Sequence, residues 1–377
     1  MKLLFIANAR IPSERAMATA IMKQCEAFAN AGVEVELIVP TRHNTRTEDP
    51  FEYHDTAKHF SIRYLFSLDV PLLEKVRLRF FLQKLSFFVA LNLYIWKTST
   101  DILYSREPEL IGPLVTKKKK FVELHHLYGL GYFGSLFLKR CRGVIAITNA
   151  LRDDVCNKFS LPVSSTMVAP SGVDLSAFYH LNSKEVARAR LSISTHKPVA
   201  LYIGGFETWK GYKTFLDASG YLKDVIHFVI AGGGEEQVQK LRVEYPHVQF
   251  LGFLPQNELP QNQQIADVLV IPNSRKVAIS ARHTSPLKVF AHMASGIPIV
   301  ASAVPSISEV LSSRNAILVT PDDPKALAEG IQRVIEEKED SATMAERALE
   351  DVAKYDWSLR TASIISFINE LPSEINR

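Results

Sequence analysis

Residues 199–211 read VALYIGGFETWKG, and this stretch decides the fold of the second half of the chain. An apolar run, a glycine pair, a short loop and a Lys-Gly step predict a buried strand, a tight turn and the start of a helix. Glycines let backbone N–H groups approach an anion closely, and a helix N-terminus favours negative charge. Gly204, Gly205 and Lys210 are therefore candidate phosphate-binding residues, although a glycine-rich turn with an exposed lysine has the same pattern.

The same alternation of strands and helices extends outward through most of the chain. A first set of strands is predicted at residues 2–9, 33–40, 102–105, 121–125, 143–148 and 167–170. After a polar connector near 182–194, a second set is predicted at 199–204, 227–231, 248–253, 268–272, 297–301 and 316–319. Helical patterns lie between them, for example at 16–31, 287–294 and 324–335. We therefore predict an α/β protein with two Rossmann-like parallel-sheet domains that face each other across a cleft.

Length and composition fit two domains in a soluble protein. The chain has 377 residues, of which 47% are hydrophobic and 22% charged. We place the N-terminal domain at 1–180 and the C-terminal domain at 181–356. Three cysteines, Cys25, Cys141 and Cys156, provide no disulfide framework and fit a reducing cytosol. The apolar N-terminus is interrupted by Arg10, which makes it too short for a signal peptide.

The charge is distributed unevenly along the chain. Residues 1–180 hold 23 Lys and Arg against 17 Asp and Glu, a net charge of +6, whereas the whole chain carries +4. A basic N-terminal half predicts an anionic partner there, such as a membrane surface, a lipid phosphate or an acidic glycan. No motif supports nucleic acid as a partner.

Residues 72–96, LLEKVRLRFFLQKLSFFVALNLYIW, form an unusual Phe- and Leu-rich segment. Interspersed charges interrupt any apolar stretch long enough to cross a bilayer. A basic amphipathic helix on an anionic membrane is one interpretation, with Lys75, Arg77, Arg79 and Lys84 facing the lipid. A long helix packed in the core of the N-terminal domain is the alternative.

Two further segments combine a turn with a helix start. Ala231–Glu236 reads AGGGEE, so Gly233 could shape a nucleotide pocket, although a tight turn explains it equally well. Residues 284–300 read TSPLKVFAHMASGIPIV, in which Pro286 opens a helix. The N–H groups of that helix start, with Thr284, Ser285 and Lys288, could hold a pyrophosphate.

Together these segments resemble the GT-B glycosyltransferases of family GT4, also called glycosyl transferases group 1. Residues 284–300 resemble the signature TSPLKxFEYMAxGxPIVAS, and Gly204–Gly211 is similar to the GxxxxxxKG loop. SAVPSISEVL at 302–311, APSGVD at 169–174, and residues 121–126 with 146–149 match further stretches. Trp357 resembles the start of a last helix, 357–377, that crosses back to the first domain. The resemblance spans nearly the whole chain.

The resemblance implies a role for each matching residue. It assigns neutralisation of the donor diphosphate to Lys210 and backbone capping to Gly204 and Gly205. The remaining donor-binding residues that it implies are His283, Ser285, Pro286, Leu287, Lys288 and Glu309. His125 would face the reacting sugar from the N-terminal domain as a hydrogen-bond partner rather than a base. A satisfied histidine at a strand end is the alternative for His125, and the adjacent His126 leaves the assignment ambiguous.

Two positions depart from the family pattern. Ala291 stands where a glutamate typically binds the ribose hydroxyls, and Gly205 stands where an arginine is common. Loss of a carboxylate that accepts two hydroxyls would weaken donor binding by roughly 30- to 150-fold. A non-catalytic nucleotide-sugar-binding protein is therefore the alternative to an enzyme. A sugar-nucleotide epimerase of the same fold is a third interpretation.

The resemblance implies transfer of a sugar from a nucleotide diphosphate sugar to a hydroxyl acceptor, with retained configuration and no metal or other cofactor. We expect a lipid-linked or cell-envelope glycan or glycolipid as acceptor, bound by the N-terminal domain. We expect the protein in the cytoplasm, peripheral to the inner face of the cell membrane. The sequence leaves the donor base, the sugar, the linkage and the oligomeric state open.

Overall fold

A computed structural model describes residues 1–69, 77–127, 132–193 and 196–371. The chain forms two compact units, Met1–Pro170 with the segment that begins at Trp357, and Ser171–Asp356. The boundary lies at Pro170 rather than at residue 180. Residues 171–173 belong to the second unit because Ser171 N donates to Ser285 Oγ (2.9 Å) and Val173 N donates to Tyr355 O (3.0 Å).

The first unit is built on a seven-stranded parallel sheet of order β3-β2-β1-β4-β5-β6-β7. Its strands are β1 (Lys2–Ile6), β2 (Glu34–Pro40), β3 (Ser61–Leu65), β4 (Ile102–Ser105), β5 (Lys119–Leu124), β6 (Gly143–Ala146) and β7 (Thr166–Val168). Its helices are α1 (Ala16–Asn30), α2 (Pro50–Tyr53), α3 (Arg77–Lys97), α4 (Pro108–Ile111), α5 (Tyr132–Lys139), α6 (Asn149–Phe159) and, at the far end of the chain, α15 (Trp357–Glu370).

The second unit is built on a six-stranded parallel sheet of order β10-β9-β8-β11-β12-β13. Its strands are β8 (Val199–Ile203), β9 (His227–Ala231), β10 (Gln249–Gly252), β11 (Val268–Ile271), β12 (Ile299–Ser302) and β13 (Ile317–Val319). Its helices are α7 (Lys184–Arg190), α8 (Tyr212–Leu222), α9 (Glu235–Glu244), α10 (Leu259–Gln263), α11 (Leu287–Ala294), α12 (Pro305–Ser308), α13 (Pro324–Glu336) and α14 (Lys338–Val352).

The central strands are apolar on both faces because helices cover both sides of each sheet. In β1, Leu3 and Phe5 join one core cluster while Leu4 and Ile6 join another. Both sheets reverse their strand order next to their first strand, between β1 and β4 and between β8 and β11. The prediction of an α/β chain with two Rossmann-like parallel-sheet domains is confirmed. Ligands of such sheets bind beyond the carboxyl ends of the strands at this reversal.

The long helix α3 has one buried and one exposed face. Phe87, Leu91 and Ile95 pack into the core under the sheet, as one of the two interpretations required. The opposite face carries an exposed apolar stripe at helical spacing: Leu78, Phe81, Leu85, Val89, Leu93 and Trp96. Residues 72–76 lie outside the described residues, as does the side chain of Arg77.

Two expectations about this helix are wrong. Arg79 does not face outward, because it is buried in an ion pair with Asp69 (Nη2 to Oδ1, 2.7 Å), and Lys84 pairs with Glu109 (2.9 Å). The charges also do not exclude a membrane span by composition. By length and composition alone, Leu78–Lys97 could cross a membrane, and 28% of its most apolar part is buried within the protein.

Candidate functional site

The loop after β8 lies at the strand-order reversal of the second unit. The Trp209 carbonyl accepts hydrogen bonds from Ser274 N (3.0 Å) and Ser280 Oγ (2.9 Å), which fixes the loop against the segment after β11. Gly211 has φ +72°, and a Cβ there would lie 1.7 Å from the Pro272 carbonyl oxygen. The Lys-Gly step thus requires glycine for both backbone conformation and close approach.

Lys210 and Lys288 converge on Glu207. Lys210 Nζ lies 2.9 Å from Glu207 Oε2, and both groups crowd the position that a side chain on Gly205 would occupy. Lys288 Nζ lies 4.6 Å from the ring centroid of Tyr202, a buried residue of β8. Burial and the Lys210 charge lower the pKa of Lys288 to about 7, and the Glu207 charge acts in the opposite sense. The glycine turn and helix α11 therefore meet at one charged group.

Three side chains around this group carry buried polar atoms that lack a hydrogen-bond partner within the described residues. They are the ammonium of Lys288, both ring nitrogens of His292 and both amide atoms of Asn273. His292 lies one helical turn after Lys288, and Asn273 directly follows Pro272. Burial, together with the Lys288 charge, lowers the pKa of His292 to about 3. Because buried polar groups are almost always paired, this edge of the sheet is suited to a polar ligand.

Helix α11 begins at Leu287, directly after Pro286. Thr284 and Ser285 are buried in front of it, and His283 is buried at the end of a π-helical turn, Ile279–His283. The Ser285 hydroxyl accepts from Ser171 N, and Ser171 Oγ donates to the Ser285 carbonyl oxygen (2.6 Å). The helix start is thus held by two hydrogen bonds to Ser171, and Ser285 Oγ has a structural partner.

The remaining candidates of this unit lie elsewhere or have structural reasons of their own. Gly233 has φ +78°, and a Cβ there would lie 2.4 Å from the Phe206 ring. Close packing therefore explains this glycine without a ligand. Glu309 follows α12, and its charge acts on Tyr355, whose ring packs on Phe290 (4.8 Å). Ala291 is buried but does not belong to the apolar cluster of its helix neighbours.

His125 follows β5 in the first unit and contacts a buried carboxylate. Its Nε2 lies 2.8 Å from Glu123 Oε1. Burial and the charges of Arg106 and Arg360 lower the pKa of His125 to about 4, although Glu123 acts in the opposite sense. Since the carboxylate only accepts, Nε2 carries the proton and Nδ1 is left as an acceptor. A neutral histidine of this kind suits hydrogen bonding rather than proton abstraction at neutral pH.

Glu123 is the centre of a buried polar network that sequence reasoning missed. It accepts from Gln24 Nε2 (2.7 Å) and Tyr104 OH (2.6 Å) and pairs with Arg106 (3.2 Å) and Arg360 (3.0 Å). Burial alone would raise its pKa, but Arg360 and Arg106 hold the pKa of Glu123 well below its usual range. Arg360 also donates to the carbonyl oxygens of Ala169 (3.1 Å) and Pro170 (2.6 Å).

Sequence signals for the missed residues differ. Glu207 stands three residues before Lys210 and is visible as an i,i+3 pair, whereas nothing local connects Arg360 to Glu123. In the part of the chain that the structure describes, no group of three or more His, Cys, Asp or Glu side chains is placed to hold a metal ion.

Comparison with known proteins adds relatives for most of the second unit. Residues 183–351 match the model of the family described as Glycosyl transferases group 1. An uncharacterized glycosyltransferase of Methanocaldococcus jannaschii is 29% identical over 231 residues, which cover 57% of this chain and 56% of the relative. The N,N'-diacetylbacillosaminyl-diphospho-undecaprenol alpha-1,3-N-acetylgalactosaminyltransferase of Campylobacter jejuni is 26% identical over 196 residues, 50% of each chain. The match thus spans about half the length of these curated relatives.

A solved structure resembles the whole chain. Anabaena HepE, in complex with UDP-glucose, superposes with a TM-score of 0.75 over 98% of this chain and 100% of its own, at 17% identity. At this identity the likeness concerns the fold, which is the two-domain GT-B fold.

Proposed function

We propose that this GT-B chain belongs to the glycosyl transferases group 1 family, whose model matches residues 183–351, and that the protein transfers a sugar from a nucleotide diphosphate sugar to an acceptor hydroxyl. One observation carries the proposal: Lys210 and Lys288 converge beside the Gly204–Gly205 turn, where buried polar atoms lack partners. A diphosphate would bring the negative charge that the buried Lys288 ammonium lacks, and it would add to the single carboxylate that now pairs with Lys210.

Lys210, Lys288 and the N–H groups at the start of α11 would stabilise the leaving diphosphate in the reaction. Preorganised donors aimed at developing charge are worth most where water is excluded. The buried Lys288 ammonium meets that condition, so no metal is required for this step in our proposal. We propose retention of configuration, as for the resembling family, with the leaving phosphate accepting the proton of the acceptor hydroxyl.

A thermal-shift panel of UDP-, GDP-, ADP- and CMP-sugars tests donor binding without an acceptor. A donor at 100 times its dissociation constant should stabilise the protein by about 2.7 kcal/mol. Lys210→Met should abolish this shift, and the exposed Lys213→Met, on the outer face of α8, should not. If no nucleotide sugar stabilises the wild-type protein, the proposal fails.

Ala291 favours a second candidate, a nucleotide-sugar-binding protein without catalytic turnover. It replaces the carboxylate that the resembling family uses on ribose, and it stands one turn after Leu287. Ala291→Glu separates the candidates. A gain in donor affinity of roughly 30-fold or more, with no turnover in the parent, indicates a site that has lost its activity. Turnover in the parent protein excludes the second candidate.

For the acceptor we propose a lipid-linked or cell-envelope glycan. The Campylobacter relative is named for a diphospho-undecaprenol acceptor, which is a lipid. The six residues of the exposed stripe of α3 are all apolar, and Trp96 at its end is 83% exposed. Such a face suits the boundary between lipid headgroups and acyl chains. We therefore propose that α3 holds the protein at a membrane surface on the cytoplasmic side.

Vesicle sedimentation tests this placement. Leu85→Glu and Leu93→Glu, both on the exposed stripe, should release the protein from phosphatidylglycerol vesicles. The matched control, Val243→Glu, adds the same charge at an exposed apolar residue of the second unit. Equal sedimentation of all three variants would remove α3 from the membrane proposal.

A further inference from the structure

A cavity of 240 Å³ opens in the first unit beyond the carboxyl ends of β1 and β2. Three guanidinium groups line it, those of Arg10, Arg42 and Arg46, together with Tyr64 and Glu48. The cavity lies at the carboxyl-end edge of the sheet, on the side of β1 away from the reversal at β4. The cavity belongs to a different unit from the lysine pair and does not overlap with it.

The walls of the cavity are fixed by hydrogen bonds. Asn44 Nδ2 donates to the Pro12 carbonyl oxygen (2.8 Å), which joins the loop after β2 to the loop after β1. Tyr64 OH donates to the Ile11 carbonyl oxygen (3.1 Å) from the neighbouring strand β3. The arginines are thus presented from anchored loops rather than from flexible ones.

Positive charge in this cavity is not balanced by the described residues. Arg42 Nε is buried without a hydrogen-bond partner there, and no ion pair is found for Arg10. Arg46 pairs at 3.5 Å with Glu48, and the nearby Asp69 is already engaged by Arg79. Burial, and then the Arg10 charge, lower the pKa of Arg42, so the two guanidinium groups act on each other.

We propose that this cavity binds a phosphate group of the acceptor, held by Arg10, Arg42 and Arg46. The proposal rests on the proposed transferase function, because it assigns the cavity to the second substrate. With Glu48, the three arginines leave a net charge of +2. A phosphate monoester, with a charge of about −1.5 to −2 at neutral pH, balances this better than a single carboxylate. Guanidinium groups also match phosphate oxygens in bidentate geometry.

Calorimetric titration of the full chain with glycerol 3-phosphate tests the cavity directly. Arg10→Gln and Arg42→Gln should each weaken binding by about tenfold or more, since each removes a charge-assisted hydrogen bond. Arg10 is exposed, so its variant folds even if the half-buried Arg42 is needed for stability. Arg63→Gln is the matched control, because Arg63 precedes Tyr64 in β3 and points to the opposite face.

Two further arms separate the sources of phosphate and the two sites. Binding to phosphatidylcholine vesicles with and without phosphatidic acid tests a lipid headgroup. If vesicle binding depends on phosphatidic acid and Arg10→Gln removes that dependence, the phosphate belongs to a lipid. If the protein binds glycerol 3-phosphate but not these vesicles, the phosphate belongs to a soluble acceptor. Lys210→Met should leave both glycerol 3-phosphate binding and vesicle binding unchanged. If Lys210→Met abolishes binding, or the arginine variants bind normally, the cavity is not the phosphate site. Donor binding by Arg10→Gln remains measurable in either case, so the transferase proposal is judged separately.

Discussion

The buried polar group at Glu123 in the first unit differs from the one at Lys288 in the second in how its atoms are paired. In the first unit, the buried Glu123 is surrounded by donors from three other parts of the chain: α1, the end of β4 and α15. In the second unit, Lys288, His292 and Asn273 are buried with polar atoms that have no partner in the described residues. A satisfied network fixes structure, whereas an unsatisfied group is stabilised when a ligand arrives. The comparison fits our proposal that the lysine pair binds the donor, whereas Glu123 holds His125 by a hydrogen bond of 2.8 Å.

The largest expected difference concerns stability. Arg360→Met removes one charge from the enclosed network and leaves Glu123 undercompensated, which should lower the free energy of unfolding by about 3–5 kcal/mol. Urea denaturation measures this loss. The control is Arg314→Met, an exposed arginine with only loose ion pairs, which should change the free energy of unfolding by about 0.5 kcal/mol or less. A loss below about 1 kcal/mol for Arg360→Met would contradict the structural role of the network.

For the buried Lys288 ammonium we expect the opposite effect of substitution on stability. Lys288→Met removes a buried ammonium without a partner, so the ligand-free protein should be as stable as the parent or more stable. Donor affinity should fall by roughly 10- to 150-fold, because a charge-assisted hydrogen bond to the diphosphate is lost. Calorimetry with the donor found in the panel measures the second effect, and Lys276→Met, exposed in the same unit, is the control. If Lys288→Met instead reduces stability and leaves donor affinity unchanged, Lys288 stabilises the fold and does not bind the donor.

The smallest effect is the contribution of Lys288 to the pH dependence of stability. The pKa of Lys288 is lowered from 10.5 to about 7, so between these values the unfolded chain binds a proton that the folded protein has released. The free energy of unfolding should therefore rise with pH in this window, and Lys288→Met should flatten the rise. An anionic donor raises the pKa of Lys288 again. Donor binding above pH 7 should thus take up protons, measurable by calorimetry in buffers of different ionisation enthalpy.

Much of the fold was predictable because most strands are buried on both faces and read as apolar runs. The exception is β3, which has Ser61, Arg63 and Tyr64 exposed and pairs only with β2 at the sheet edge. Without an apolar run it gave no signal. The unit boundary was misplaced because the turn at 171–173 is held by Ser285 and Tyr355, which are distant in sequence.

The proximity of the glycine turn to helix α11 was predictable at the level of motifs, and the electrostatics of Lys288 was not. The glycine turn, Lys210 and Lys288 stand in recognisable patterns, but the lowered pKa of Lys288 depends on burial next to Tyr202. The expected exposure of Arg79 on α3 was wrong for the same reason, since Arg79 turns inward to Asp69. Local sequence shows that a charge exists, and only packing decides whether water reaches it.

The position of Arg360 on α15 also has a consequence for synthesis. Residues 1–170 leave the ribosome long before α15, yet Ile364 and Ile368 complete their core and Arg360 completes the pairing of Glu123. At roughly 5–20 residues per second, the intervening second unit delays this completion by on the order of ten to forty seconds. During that interval the nascent first unit exposes the groove that α15 will fill. We therefore expect the yield of folded protein to depend on a chaperone that shields this groove, or on fast folding of the second unit.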